Sequence, residues 1–276
     1  MPEGHTVHRL ALRHQRYYAG SPVAVSSPQG RFASAAEVLD GRVLERAEAD
    51  GKHLFHVYGP DLVVHVHLGL YGTFTEATLP VEAPRGQVRM RLVGSTHWTD
   101  LRGPAACELF TDVEMDAVGA RLGPDPLRRD ADPDRAWQRI SRSRAPLATL
   151  LMDQSVLAGV GNVYRAEVLF RHQLDPLQPG RDLRADQWAA VWSDLVELMA
   201  DGMRRARIDT VRPEHGPERA GRAPRRDRHG GEVYVYRRAG APCLVCGTPV
   251  ATAAHGGRNL YWCPTCQRLP SLPGPS

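Results

Sequence analysis

Two Cys-x-x-Cys pairs, Cys243/Cys246 and Cys263/Cys266, stand 16 residues apart near the end of the chain. Two knuckles at this spacing can set four thiolates around one tetrahedral zinc ion. Gly247 and the Gly256-Gly257 pair supply the tight turns such an element needs. Four cysteines within 24 residues of a chain expected to be cytosolic argue against a disulfide scaffold. All four ligand positions are filled, so no place is left for an activated water and one structural Zn2+ is expected. A redox pair is the alternative reading. Cys107 lies outside the cluster and is expected to be a packed thiol.

The 276 residues suggest more than one domain, and a hydrophobic content of 42% is enough for real cores. The chain has no run of 18 apolar residues, and its start, Met1-Pro2-Glu3-Gly4-His5, lacks the pattern of a signal peptide. No membrane contact, a cytoplasmic location and a monomer are expected. The net charge of +4 is unevenly spread: residues 201–276 hold 13 Arg against 6 Asp or Glu. A basic C-terminal third fits a polyanion partner, and equally a solvated Arg-rich surface. Of 35 basic residues only Lys52 is lysine. A lone Lys in such a background fits a position where Arg cannot substitute, because Lys can exchange protons and Arg cannot, and equally chance retention.

Apolar spacing predicts a helix over residues 3–18, opened by Pro2. Residues 22–120 carry short apolar alternations such as Leu54–Tyr58, Leu62–His67 and Val88–Val93, the pattern of an antiparallel sandwich or barrel. Helical patterns follow at Asp134–Ser141, Pro146–Asp153, Asn162–Arg171 and Arg184–Arg207. A short strand is expected over Glu232–Arg237. The fold class is therefore α+β. A β-sandwich domain with an N-terminal helix spans 1–120, and a linker 121–131. A helical domain with a mobile loop at 209–231 spans 132–232, a zinc finger 233–268 and a tail 269–276. The glycine-rich turn Leu157-Ala158-Gly159-Val160-Gly161 opens a helix at Asn162, where backbone N–H groups can receive a phosphate. If Arg258-Asn259-Leu260-Tyr261-Trp262 is a hairpin strand, its turn presents Arg258 toward a nucleic-acid backbone; a miniature aromatic core is the alternative.

Several motifs, in order along the chain, resemble the formamidopyrimidine-DNA glycosylase/endonuclease VIII family of base-excision repair enzymes. They are Pro2-Glu3-Gly4, Asp50-Gly51-Lys52-His53-Leu54, His67-Leu68-Gly69-Leu70-Tyr71-Gly72, Leu151-Met152-Asp153-Gln154, Gly159-Val160-Gly161-Asn162-Val163-Tyr164 and the cysteine element. The resemblance implies a β-sandwich, a helix–two-turns–helix domain and a zinc finger. It implies a bifunctional DNA glycosylase and AP lyase acting on damaged DNA, as a duplex or as a bubble or single strand. In that family Pro2, freed of Met1, is the nucleophile. Glu3 protonates the opening sugar, and Lys52 serves near the scissile phosphate. Asn162 and Arg258 clamp the backbone, Leu70 and Tyr71 form the intercalating loop, and Cys243, Cys246, Cys263 and Cys266 hold zinc.

Within the family, Leu70-Tyr71 and Tyr261-Trp262-Cys263-Pro264 resemble the endonuclease VIII branch, which implies oxidised pyrimidines as substrates. Gly69 departs from the polar residue often found there in that branch. Arg102 lies near the position of an orphan-base Arg in the oxidised-purine branch, but its neighbours match that branch poorly. The alternatives are an oxidised-purine glycosylase, a catalytically silent damaged- or single-stranded-DNA binding protein, and an RNA-associated zinc-ribbon protein.

Overall fold

The structure is a computed structural model, and it describes residues 2–225 and 231–268. The expected tail 269–276 and residues 226–230 of the expected loop lie outside the described residues. The chain divides into two compact units, Met1–Arg121 and Leu122–Ser276. Among the described residues no helix is long and apolar enough to cross a membrane.

The first unit opens with helix α1 (Gly4–Tyr18), followed by β1 (Ala24–Ser26) and α2 (Ala33–Leu39). Strands β2 (Arg46–Asp50), β3 (His53–Val57), β4 (Val63–His67), β5 (Thr73–Thr78), β6 (Val88–Val93), β7 (His97–Arg102) and β8 (Ala106–Phe110) follow, and α3 (Asp112–Arg121) closes the unit. The strands form two antiparallel four-stranded sheets, ordered β2-β3-β4-β8 and β1-β6-β7-β5. Leu54, Val64 and Val66 from one sheet pack in a single core with Met90, Leu92 and Leu101 from the other, which makes the expected sandwich. Helix α1 buries Val7, Leu10, Ala11, His14 and Tyr18, a stripe at helical spacing. Helix α2 and nearly all of α3 fall inside the stretch 22–120, for which the sequence pattern pointed to strands. Helix α3 buries only Val118, so it leaves almost no apolar periodicity to detect.

The second unit contains α4 (Pro133–Ile140), α5 (Leu147–Leu150), α6 (Asn162–Arg171), α7 (Ala185–Arg205) and α8 (Pro217–Ala220), then the strand pair β9 (Ala251–His255) and β10 (Arg258–Trp262). Helix α6 is buried from Asn162 through Phe170, and its core joins Leu195 and Met199 of α7 to Tyr261 and Cys263 of the cysteine element. The start of the stretch expected as a linker is packed. Gly123 N–H donates to Gln154 O (2.9 Å), and Pro124 O accepts from Ala158 N–H (3.1 Å).

Residues 232–237 form no strand, contrary to the sequence expectation. The reason is Glu167, a fully buried carboxylate on α6. It accepts the backbone N–H groups of Tyr234 (2.6 Å), Val235 (2.9 Å) and Tyr236 (2.8 Å), and the Thr210 hydroxyl. A strand would need those donors for a ladder, and a carboxylate binds them more strongly. Residues 209–225 of the expected loop carry a short 3-10 turn at Pro213–His215 as well as α8. The two ends of the loop are tied together: Thr210 N–H donates to Glu232 O (2.8 Å), and Arg222 pairs with the Glu232 carboxylate at 2.6 Å.

Candidate functional site

Pro2 and Glu3 sit at the mouth of α1, and Glu3 is completely buried as its N-cap. Lys52 occupies the two-residue turn between β2 and β3, where Asp50 pairs with His53. His67 Nδ1 donates to the carbonyl of Lys52 (3.1 Å), which fixes the turn against β4. The run of α1 relative to β2 follows from three contacts. Ala19 bridges Leu44, the Gln15 side chain accepts from Ala47 N–H (2.7 Å), and His14 bonds His56, the ladder partner of Ala47. Stepping back along the helix thus means stepping forward along the strand. From His14 to Gly4 is about 15 Å of helix, and from Ala47 to the turn is about 15 Å of strand. The N-terminus of α1 and Lys52 therefore lie at the same end of the first unit.

Leu70 and Tyr71 occupy the turn between β4 and β5 and are 54% and 84% exposed. Large apolar side chains held in water need a backbone that cannot fold them inward, and two glycines provide it. A side chain at Gly72 would strike Leu68 O at 2.4 Å, and one at Gly69, which has φ 65°, would meet Ala105 Cβ at 2.8 Å. Glycine at 69 thus has a local steric cause, which accounts for the departure noted in the sequence. Arg102 is occupied within its own unit. It pairs with Asp100 (2.8 Å) and donates to Thr75 Oγ1 (2.9 Å) and Arg85 O (2.8 Å).

In the second unit, Asn162 opens α6 and Arg258 opens β10. The β9–β10 turn is Gly256-Gly257, both left-handed (φ 56° and 71°), as a two-residue hairpin turn of this twist requires. The hairpin is tied to the helices at two points. His255 Nε2 bonds Thr149 Oγ1 of α5 (2.8 Å), and Asn162 Nδ2 donates to Asn259 O (3.1 Å). Asn162 and the residue following Arg258 are thus directly bonded. Sequence reasoning did not single out Arg165, whose buried guanidinium donates to Asn162 Oδ1, Asn259 O and Ala148 O. An Arg on a nearly all-buried helical stretch was the available signal.

The sulfur atoms of Cys243, Cys246, Cys263 and Cys266 all lie within 4.8 Å of one another. Cys243 to Cys266 is 3.9 Å and Cys246 to Cys263 is 3.5 Å. Four sulfurs around one tetrahedral zinc at the usual bond length stand about 3.8 Å apart, so the cluster fits one Zn2+ held by all four. N–H groups of Val245 and Cys266 point at the sulfurs of Cys243 and Cys263 (3.5 Å each). Cys107 is buried on the sandwich, its thiol pushed up to about 12 by burial.

Residues 1–107 match the formamidopyrimidine-DNA glycosylase N-terminal domain, residues 122–212 the H2TH domain of that enzyme, and residues 240–269 the zinc finger found in FPG and IleRS. Endonuclease 8 1 of Mycobacterium tuberculosis is 59% identical over 271 residues, covering 97% of this chain and 100% of that one. Probable endonuclease 8 2 of Streptomyces coelicolor is 35% identical over 285 residues, covering 98% and 95%. A crystal structure of Lactococcus lactis formamidopyrimidine-DNA glycosylase bound non-covalently to DNA containing an AP site has the same fold. Its TM-score is 0.76 at 20% identity, over 97% of this chain and 100% of that chain. The chain belongs to the formamidopyrimidine-DNA glycosylase/endonuclease VIII family, whose members are DNA glycosylases with AP lyase activity.

Proposed function

We propose that this chain is a bifunctional DNA glycosylase and AP lyase of base-excision repair that works on oxidised bases, pyrimidines before purines. The observation that carries the reading is the shared end of α1 and the β2–β3 turn, combined with family membership along the whole chain. Removal of Met1 would leave Pro2 as a secondary amine, with a neutral fraction near pH 7 because an α-amine titrates at about 7.7–8.0. That amine attacks C1′ of the damaged nucleotide, the bond from C1′ to the base breaks, and the departing base takes up the proton that the amine nitrogen gives up. Glu3 gives a proton to the sugar ring oxygen as the ring opens. The product is an iminium ion whose fixed positive charge draws electrons from C2′. Loss of a C2′ proton then breaks the bond to the 3′ phosphate. Lys52 binds the phosphate and carries protons.

Asn162 and Arg258 hold the strand by its phosphates while the nucleotide is turned out of the stack. Leu70 fills the vacated space, with Tyr71 beside it. Zinc, held by Cys243, Cys246, Cys263 and Cys266, gives the hairpin its shape and takes no part in bond breaking. The preference for pyrimidines is supported by the occupied state of Arg102 and by the 59% identity to an endonuclease 8. The domains are proposed to work as a β-sandwich carrying the chemistry and a helical and zinc part carrying strand grip. The proposed setting is the bacterial cytosol and nucleoid, and the proposed active form is a monomer.

Borohydride trapping tests the reading. The processed protein is mixed with duplexes carrying thymine glycol, 5-hydroxyuracil, 8-oxoguanine or an abasic site. Reduction of the iminium is expected to give a covalent adduct, fastest with the two pyrimidine lesions and the abasic site. Absence of any adduct from protein whose N-terminus is shown to be Pro2 would remove the lyase reading. A faster adduct with 8-oxoguanine would remove the pyrimidine preference.

A further inference from the structure

We infer that Arg165 is a positioning residue that joins the two halves of the proposed strand clamp into one pre-formed unit. The inference rests on the reading above that Asn162 and Arg258 grip DNA. Arg165 is 1% exposed and is the largest fully buried side chain of the protein among the described residues. Burying a guanidinium is costly, and a site needing only packing would take an apolar residue. Its guanidinium spends hydrogen bonds on three neutral oxygens from three elements: Ala148 O of α5 (3.2 Å), Asn162 Oδ1 at the start of α6, and Asn259 O of β10 (3.2 Å). A planar fork with fixed donor directions serves this pattern, and a Lys ammonium does not.

The chemistry of the amide gives the arrangement its purpose. Arg has no acceptor, so only the oxygen of the Asn162 carboxamide can face it. The carboxamide therefore cannot flip. Its nitrogen is turned the other way, where one hydrogen goes to Asn259 O (3.1 Å) and the second is left for a phosphate oxygen. Asn259 O accepts from both Arg165 and Asn162, which fixes the Asn259–Leu260 peptide, one residue beyond Arg258. Arg165 thereby sets the donor direction of Asn162 and the backbone position of Arg258 at once, before DNA arrives. Pre-organisation of this kind lowers the cost of binding without adding a contact to the ligand.

The test is a double-mutant cycle in the full-length zinc-loaded protein, using a duplex with a tetrahydrofuran abasic analogue. Arg165→Met, Asn162→Ala and the double variant are compared by equilibrium binding over a range of salt concentrations. Asn162→Ala is expected to weaken binding about tenfold or more. Arg165→Met is expected to do the same, and the double variant to lose clearly less than the sum of the two single losses, because Arg165 acts in part through Asn162 and both hold the Asn259 carbonyl. The slope of log affinity against log salt should be the same for Arg165→Met and Asn162→Ala. A slope lower by about one for Arg165→Met would mean that its guanidinium itself meets a phosphate, and additive losses would mean that it acts elsewhere; either overturns the inference. If Asn162→Ala binds like the parent, the clamp reading itself has failed. Should Arg165→Met lose zinc or unfold, Arg165→Lys replaces it in the same cycle: it keeps the charge, and it should still lose affinity because it lacks the fork. Full affinity in Arg165→Lys would also overturn the inference.

Discussion

Arg171 grips Asp194 through two parallel hydrogen bonds, Nε to Oδ2 and Nη2 to Oδ1, each 2.7 Å long. The pair joins α6 to α7, His172 adds a third donor at 3.1 Å, and Arg171 also reaches the carbonyl of Thr210. Burial alone would raise the Asp194 carboxyl. The bonds from His172 and Arg171 outweigh it and hold the group at about 2. A depressed carboxyl adds stability above its unfolded value of about 3.9 and loses it as pH falls toward the folded value. The second unit is therefore expected to lose stability between about pH 4 and pH 2. Urea unfolding of the parent and of Asp194→Asn across this range checks it: only the parent should show the pH dependence arising from this group.

The first unit should be sensitive in a milder range. Burial lowers His5 to about 4 and His53 to about 3, in each case helped by neighbouring cations and histidines. His56, beneath α1, is also lowered well below its ordinary value by burial and then by His14. These imidazoles stay neutral in the fold while the unfolded chain takes up protons below about pH 6.5. Stability then falls as pH falls, by about 1.4 kcal/mol per pH unit for each fully engaged histidine. Denaturant midpoints measured from about pH 7 to about pH 5 should drop steadily, and a flat profile would show that these groups are not held neutral.

Glu167 is a second quantitative test. Replacing it with Gln puts an amide N–H₂ against donors and leaves buried backbone N–H groups of Tyr234, Val235 and Tyr236 poorly served. The expected loss is about 2–4 kcal/mol of stability. Because the same carboxylate holds Thr210, proteolysis of the 209–225 segment should accelerate in parallel. Stability equal to the parent's would show that water replaces the carboxylate.

Chelation of zinc should abolish tight DNA binding while the sandwich unit keeps its cooperative unfolding transition. The β9–β10 hairpin would lose the four thiolate anchors that shape it. Unchanged affinity after confirmed zinc loss would count against any role for Arg258 in holding DNA.

A retained Met1, or a tag before Pro2, should abolish base excision and strand cleavage and leave zinc content intact. Blocking the amine removes the proposed nucleophile without touching the second unit. Strand cleavage by tagged protein, measured after mass spectrometry confirms the blocked terminus, would rule Pro2 out.

What the sequence made readable was what periodicity and spacing encode. The sandwich strands, α1, α6, α7 and the cysteine cluster all carry such patterns. Helix α3 did not, because nearly all of it faces water. Nor did the irregular run at 232–237, whose apolar alternation reads as a strand while its donors are taken by a side chain 67 to 69 residues away. Among candidate site residues, those on turns and element ends were proposed from motifs. Arg165 was missed because its role depends on which carbonyls the tertiary fold brings within reach, and no local pattern encodes that.

The opposed run of α1 and β2 makes them two rulers cut to the same length. Side chains on a strand alternate faces, so one residue inserted into β2 would turn Lys52 to the opposite side, and one inserted into α1 would swing the chain terminus by about 100°. Substitutions on either element are graded in their effect; insertions and deletions are not. The segment between residues 4 and 52 should thus admit length changes only in its loops, near Gly30 and Gly41, where an added side chain would meet no neighbour.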